Sequence, residues 1–236
     1  MDHAKWPQRK VREEKTGPMI EGFSLVEMAI VLIVMSILTG ATLKGYSLIE
    51  KARLRTVPLQ VEEIRHAVAS FQETFQGLPG DFSLATLQFN SAFNGNGNGL
   101  IEGEATDLNT EAGAFWVHLK ESGLFGSSLP EKIPPVLGAG TGLPTAKTGG
   151  CYSVTGSLEK EIGPWIILSV PNASHHKGTL TPAQAQDLDR MMDDGLPHSG
   201  LVRAKDDTQG ETQGGKCISE SLYVTSNKGK NCVLCS

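Results

Sequence analysis

Gly22-Phe-Ser-Leu-Val-Glu27 leads directly into Met28-Ala-Ile-Val-Leu-Ile-Val-Met-Ser-Ile-Leu38, and a less dense apolar run continues to Leu43. Residues 23–43 form a stretch of 21 residues that contains one charged side chain, Glu27. A helix needs about 20 apolar residues to cross a bilayer core of roughly 30 Å. The stretch therefore predicts a transmembrane helix close to the N-terminus.

Glu27 is unusual in such a helix, because a carboxylate costs on the order of 2.5 to 3.5 kcal/mol at the centre of a bilayer and so needs a partner. If the chain were cut after Gly22, the new α-amino group of Phe23 would lie four residues before this carboxylate. In a bundle of such helices, the ammonium group of one subunit would meet the carboxylate of its neighbour. Both charges would then be paired, and the pairing would fix the axial register between subunits.

The segment from Gly22 to Glu27, with the apolar helix behind it, resembles the prepilin cleavage and methylation motif of type IV pilins and type II secretion pseudopilins. The resemblance implies cleavage after Gly22 by a membrane-embedded prepilin peptidase, N-methylation of Phe23 and an assembly role for Glu27. The alternative is an ordinary signal anchor in which Glu27 has no special role. A cleavable secretory signal is disfavoured because the apolar run exceeds the roughly 7 to 15 residues of such signals.

The formal charge of −5 is unevenly distributed along the chain. The leader, residues 1–22, carries five basic and four acidic side chains, so the remainder has a charge of −6. A basic flank before an apolar helix stays in the cytoplasm, which sends everything after Leu43 across the membrane. Together with the resemblance to pilins, this implies a single-pass inner-membrane protein with a periplasmic head. The acidic head has scattered basic residues, so a nucleic-acid partner is not expected.

The helix is predicted to continue past the membrane to Gln76. Beyond Leu43, apolar residues recur at intervals of three or four, which makes one apolar stripe on a helix: Leu54, Val57, Val61, Ile64, Val68, Phe71 and Phe75. Pro58 is expected to kink this helix, and Gly77-Leu-Pro-Gly80 to end it. A stripe of this kind needs a sheet to cover it.

The predicted fold class is therefore α+β. A long N-terminal helix over 23–76, with its transmembrane half at 23–43, would pack against a small antiparallel β-sheet in a head with loop insertions over 77–236, as the resemblance to pilins also implies. Strands are predicted at Cys151–Thr155 and Pro164–Val170, which are rich in β-branched and aromatic residues.

Two shorter helices are predicted in the head. One runs from Glu111 to Gly123, with Phe115, Trp116 and Leu119 on its buried side and His118 at the surface or an interface. The other is capped by Thr181, has Pro182 at its first position and reaches Met192. The stretch Leu129–Gly150 is expected to be a long loop.

A weak calcium loop is one interpretation of Asn94-Gly-Asn-Gly-Asn-Gly-Leu-Ile-Glu102, with Asn94, Asn96, Asn98 and Glu102 as the ligands. Ala105, however, stands where the bidentate glutamate of an EF-hand is expected. A glycine-rich turn that requires positive φ angles explains the same residues. No other cofactor is expected. Four aspartates surround the end of the second short helix: Asp187, Asp189, Asp193 and Asp194. Such a group can attract a cation, but a solvated acidic face is the favoured interpretation.

Four cysteines, Cys151, Cys217, Cys232 and Cys235, lie in the last third of the chain. An even number in an exported domain favours structural disulfides, and three pairings are possible. The Cys-x-x-Cys spacing of the last two is also that of a redox or zinc pair, but neither a helix N-terminus nor a second ligand pair accompanies it.

No motif for a nucleophilic serine, a zinc protease or a phosphate-binding loop occurs in the chain, which argues against an enzyme. The predicted function is a structural prepilin-like subunit of a type IV pilus or type II secretion pseudopilus, with prepilin peptidase and other pilin or pseudopilin subunits as partners. By analogy with that family, the large head favours a minor subunit. The alternative is a non-polymerising membrane-anchored periplasmic module that binds calcium, DNA or an exported substrate.

Overall fold

A computed structural model describes residues 22–89, 93–126, 136–139, 141–158, 161–172, 175–207 and 215–236. The leader predicted over residues 1–21 and part of the loop predicted over Leu129–Gly150 lie outside these ranges. The chain divides into two compact units, one reaching Ser47 and the other spanning Leu48–Ser236.

The fold is α+β, and its elements follow one another in this order: α1 (Leu25–Phe75), α2 (Ala85–Gln88), α3 (Glu111–Glu121), β1 (Gly138–Ala139), β2 (Gly142–Leu143), β3 (Cys151–Leu158), β4 (Glu161–Asn172), β5 (His175–Lys177), α4 (Pro182–Met192), β6 (Arg203–Asp206), β7 (Ile218–Ser219), β8 (Leu222–Tyr223) and β9 (Cys232–Cys235).

Helix α1 has 51 residues and passes through Pro58 without ending. Its second half buries one face, as the apolar stripe predicted: Leu54, Val57, Val61, Ile64, Ala67, Val68 and Phe71. Phe75 packs against this core while remaining partly exposed. The last turn closes at Gln76, whose φ of 56° lies in the left-handed region, so the predicted stop is confirmed one residue before Gly77.

The head contains one antiparallel sheet in the strand order β3-β4-β9-β6, and β5 extends it along β4. Strands β3 and β4 form an antiparallel hairpin that runs from Cys151 opposite Ser169 to Leu158 opposite Glu161, with one shift of register between Thr155 and Ser157. Strand β9 lies between β4 and β6, with Ile167 opposite Cys235. Two small ribbons complete the described strands: β1 with β2 is parallel, and β7 with β8 is antiparallel.

The two faces of the sheet carry separate apolar clusters, because successive residues of a strand point to opposite faces. The larger cluster joins Tyr152, Ile166 and Leu234 of the sheet to the buried stripe of α1 and to α3. The Tyr152 hydroxyl also donates a 3.1 Å hydrogen bond to Oε1 of Gln60. The smaller cluster, on the other face, comprises Leu158, Ile167, Val233 and Cys235, with Trp165 partly buried against it.

Helix α3 buries Phe115, Trp116 and Leu119, as its amphipathic pattern predicted. The expectation of a surface or interface position for His118 was wrong, since this residue is 0% exposed. Its Nδ1 accepts a 2.9 Å hydrogen bond from the Gly80 backbone N–H, and its Nε2 lies 3.1 Å from the Phe93 carbonyl oxygen. Two backbone partners therefore satisfy the polar ring of His118 inside the core.

Helix α4 begins as its sequence predicted. Thr181 caps it by accepting a hydrogen bond from the Gln184 N–H, and the Gln184 side chain accepts one in return from the Thr181 N–H, so that the two residues form a capping box. Pro182 occupies the first turn, where its missing N–H costs nothing.

Candidate functional site

The first candidate site is the start of α1, where the predicted processing residues lie outside the helix. Gly22 and Phe23 are exposed and non-helical, and α1 begins two residues later at Leu25. Ser24 caps the helix: its Oγ accepts a 3.3 Å hydrogen bond from the Val26 N–H. The Gly22–Phe23 peptide bond is therefore held in an exposed segment immediately before a capped helix.

Glu27 lies in the first turn of α1. Its position three residues after Ser24 matches the Ser-x-x-Glu pattern of a capping box. A negative side chain in a first turn also interacts favourably with the positive end of the helix dipole, typically by about 0.3 to 1 kcal/mol at exposed positions. The exposed Glu27 carboxylate thus interacts favourably with the N-terminus of α1.

The apolar half of α1 is a membrane-spanning candidate. Its most apolar window of 18 residues has a mean hydropathy of 2.2, and none of that window is buried. Every residue from Gly22 to Lys44 is exposed. A buried core helix of a soluble protein passes the same test of composition, but it hides its apolar residues, whereas this helix presents them.

The second candidate site is the asparagine-glycine loop, which wraps around a buried carboxylate. Asp81, only 3% exposed, accepts hydrogen bonds from three successive backbone N–H groups. Gly97 and Asn98 donate to its Oδ1 over 2.6 and 3.2 Å, and Gly99 donates to its Oδ2 over 2.7 Å. A carboxylate that accepts several N–H groups is an effective anchor for irregular backbone.

Glu111, the first residue of α3, is a second anchor for the same loop. Its Oε1 accepts from the Asn96 N–H and its Oε2 from the Glu102 N–H, both over 3.0 Å. Burial raises the pKa of Glu111 above its ordinary value, the two backbone hydrogen bonds oppose this shift, and the nearby charges of Asp81 and Glu102 add to it. The loop is therefore fixed at both ends by acidic side chains that belong to other segments.

The four predicted calcium ligands are only partly brought together. Asn94 turns away, since its amide pairs with the backbone N–H and the hydroxyl of Thr86. The amide nitrogens of Asn96 and Asn98 donate to Glu102 Oε2, over 3.1 and 3.3 Å. Their amide oxygens instead accept backbone N–H groups two residues further along the loop. Calcium binding at this loop stays a prediction.

The predicted acidic group at the end of α4 contains three aspartates whose carboxylate oxygens lie within 4.8 Å of one another: Asp189, Asp193 and Asp194. Asp189 is fully buried and accepts a 2.6 Å hydrogen bond from the Tyr223 hydroxyl and a 3.0 Å one from the Gly195 N–H. Burial raises the pKa of Asp189, and those two bonds oppose the shift. Asp193 and Asp194 accept from backbone N–H groups of the following turn.

One disulfide links Cys217 to Cys232 across 15 positions of the chain. Cys151 and Cys235 are both buried and lie outside this bond. The Cys-x-x-Cys pair belongs to β9, where residues three apart point to opposite faces of the sheet. Cys232 and Cys235 consequently lie in different apolar clusters, an arrangement unlike that of a redox or zinc pair.

Two anchoring residues were not predicted from the sequence. Asp81 follows Leu-Pro-Gly, and its role depends on N–H groups 16 to 18 positions away. Glu111 was predicted only as a helix start. The one available signal was the loop itself, because so many asparagines and glycines in succession need an external group to fix them.

These features define an α+β protein with one N-terminal helix that is long and apolar enough to cross a membrane and a head that contains one disulfide. Comparison of the chain with models of known protein families, with curated proteins and with solved structures gives no match.

Proposed function

We propose that the chain is a prepilin-like structural subunit. It inserts in the inner membrane through the first half of α1, is cut after Gly22 by a prepilin peptidase, and assembles with other pilin or pseudopilin subunits into a type IV pilus or a type II secretion pseudopilus. The head then lies in the periplasm. A minor subunit is favoured, because a head of this size is bulky for a filament built from thousands of copies.

The observation that carries the proposal is the contrast within the single helix α1. From Gly22 to Lys44 the helix region is apolar and exposed, whereas from Leu54 to Phe71 one face is buried in the head. An apolar surface of this length needs a cover, and a membrane or a bundle of like helices supplies one. During assembly, the apolar half of α1 would leave the lipid and pack against the helices of neighbouring subunits, and the head would not have to change.

Charge pairing at the helix start would drive the assembly. Cutting after Gly22 creates a positive amino group on Phe23 at the positive end of the helix dipole, which is an unfavourable position for a cation. The Glu27 carboxylate of an adjacent subunit would neutralise this group where water is excluded. A charged pair of this kind orders subunits because only one axial stagger brings the two groups together.

Processing is tested by intact-mass and N-terminal analysis of the protein from hosts with and without a prepilin peptidase. The expected mature chain begins with N-methylated Phe23 only when the peptidase is present. A Gly22→Val variant is expected to stay uncut. A side chain added at Gly22 meets no atom within 4 Å, so misfolding does not explain such a block. A wild-type chain that stays uncut beside an active peptidase would contradict the proposal.

Assembly is tested with Glu27→Ala, which should leave cleavage intact and abolish incorporation into filaments. Glu63→Ala, which removes another exposed carboxylate of α1, is the matched control and should assemble normally. Filaments that contain the Glu27→Ala chain at the wild-type level would refute the charge-pairing mechanism, even if the chain is correctly cut.

A further inference from the structure

A half-open cavity of about 490 Å³ lies where α1 ends. The lining includes Gln72 and Gln76 of the last helical turns and Asp81, Phe82 and Ser83 of the segment that follows. Gly97 and Gly99 of the asparagine-glycine loop also line it. Its volume falls within the roughly 300 to 1,000 Å³ that is usual for small-molecule sites in proteins.

The part of the lining that the asparagine-glycine loop supplies is fixed before any ligand arrives. Gly97 and Gly99 donate their N–H groups to Asp81. A side chain at Gly95 would collide with the Asp81 backbone at 2.1 Å, so the loop can lie this close only with glycine there. Since the loop is already ordered, a ligand would not have to pay for fixing it.

The backbone of Gln76, at the end of α1 and in the cavity lining, has an unusual conformation. It adopts a left-handed conformation with a φ of 56°, which is uncommon for residues other than glycine and costs of order 1 kcal/mol or more. Its Nε2 donates to the Glu73 carbonyl oxygen over 2.9 Å. Both Gln72 and Gln76 are exposed, and together they bring two primary amides to one side of the cavity.

The chemistry of the lining selects the class of ligand. Amides both donate and accept hydrogen bonds, a hydroxyl does the same, and Asp81 accepts only. No lysine, arginine or histidine occurs among the described residues that line the cavity, which disfavours phosphate and other anions. Leu78, with the 9% of Phe82 that remains exposed, supplies the apolar part of the lining, which is too little for a lipid.

We propose that this cavity binds a neutral saccharide. Sugar hydroxyls would exchange hydrogen bonds with the amides of Gln72 and Gln76 and with the hydroxyl of Ser83, and Asp81 would fix the loop rather than carry the ligand by charge. The site belongs entirely to the head, so the proposal does not rest on cleavage after Gly22 or on polymerisation.

The test uses the full chain in a detergent without a sugar headgroup, because a maltoside or glucoside would compete. Maltotriose, cellotriose and chitotriose are the probes, each examined by saturation-transfer NMR and calorimetric titration, beside an array of neutral, sialylated and sulfated glycans and a panel of polar peptides. Binding of at least one neutral saccharide with a dissociation constant below about 1 mM is expected.

Gln72→Ala should weaken that binding by about two- to tenfold, the scale expected for loss of a neutral hydrogen bond to a ligand. Gln88→Ala, which removes an exposed helical amide outside the cavity, is the matched control and should leave binding unchanged. Alanine favours the helix at position 72, so a folding defect is not expected, and an unchanged melting temperature checks this point.

Three results would overturn the proposal. The first is no binding of any neutral saccharide at about 10 mM, a concentration that reveals even weak sites. The second is binding only to acidic glycans or only to peptides. The third is equal loss of binding in Gln72→Ala and Gln88→Ala, which would place the saccharide elsewhere on the head. Calcium chelation distinguishes a metal-dependent lectin site, since binding here should survive it.

Discussion

Protonation of His118 should destabilise the head in mild acid. The Gly80 N–H can only donate, so Nδ1 of His118 must accept and the ring proton must lie on Nε2, which donates to the Phe93 carbonyl oxygen. A second proton on Nδ1 would meet the Gly80 N–H directly. Burial lowers the pKa of His118, and the hydrogen bond to Phe93 partly offsets this shift.

The direction and size of the effect follow from proton linkage. In the unfolded chain a histidine takes up its proton near pH 6.5. The folded chain resists this uptake until a lower pH, so the contribution of neutral His118 is complete above pH 6.5 and is lost as the pH falls below it. One proton corresponds to at most about 1.36 kcal/mol per pH unit. Between pH 6.5 and 5.5 the loss should be at most about 1 kcal/mol, or up to about 2 to 4 °C in melting temperature.

The assay is thermal unfolding of the full chain, followed by fluorescence of Trp116 and Trp165 at several pH values between 7.5 and 5. His118→Gln is the informative variant. It should cost about 1 to 3 kcal/mol at pH 7.5, because a buried N–H loses its acceptor, and it should abolish the histidine part of the acid dependence. His66→Gln, which changes an exposed histidine of α1, is the control and should alter neither quantity.

The contribution of His118 is the difference between the pH dependence of unfolding of the wild type and that of the His118→Gln variant. The raised pKa values of Glu111 and Asp189 act in the opposite direction, because these carboxyl groups bind protons more readily in the folded state and so add stability as the pH falls. If the wild-type and His118→Gln curves stayed parallel from pH 7.5 to 5.5, the assigned tautomer and its energetic role would be refuted.

Two further predictions concern the loop anchor and the disulfide. Asp81→Asn should lower the free energy of unfolding by about 1.5 to 3 kcal/mol, because it weakens hydrogen bonds to a buried charge. It should also expose the asparagine-glycine loop to proteases. Asp107→Asn, which changes an exposed turn, is the control and should have neither effect. Reduction of the Cys217–Cys232 bond should lower the free energy of unfolding by about 3 kcal/mol, the value for a loop of 15 residues. The Cys151→Ala variant should show the same sensitivity to reductant in denaturation curves. Equal stability of the wild-type chain with and without reductant would contradict the pairing.

Elements with strong local signals were predictable from the sequence. The apolar stripe of α1 has one physical explanation, a helix with one buried face, and the structure buries it. Thr181 and Pro182 mark a helix start through capping rules that act within four residues, and α4 begins there. These helix signals, together with the strands predicted at Cys151–Thr155 and Pro164–Val170, are enough to predict the α+β class.

Elements that depend on distant partners were not predictable. Strand β9 has only four residues, and its place between β4 and β6 depends on pairing with segments more than 25 positions earlier. The buried His118 needs Gly80 and Phe93, which are 38 and 25 positions away. These partners make its burial tolerable, and they lie too far away in the chain for the sequence of α3 to indicate them.

The same distinction applies to the candidate sites. Gly22, Phe23 and Glu27 were identified from a short contiguous motif, and their roles stay predictions. The asparagine-glycine loop was recognised as unusual, but its anchors Asp81 and Glu111 come from other segments. A local pattern shows that a loop is special, whereas the groups that hold it in place become visible only in three dimensions.

The position of the Cys-x-x-Cys pair within β9 has a consequence for oxidative folding. In a reduced chain, Cys232 and Cys235 are separated by the shortest loop and collide most often. In an extended strand, however, their Cα atoms lie about 10 Å apart, beyond the roughly 7 Å that a disulfide can bridge. A Cys232–Cys235 disulfide would therefore be incompatible with the strand conformation of β9. Any chain that formed it would have to exchange it for the Cys217–Cys232 bond before β9 could join the sheet.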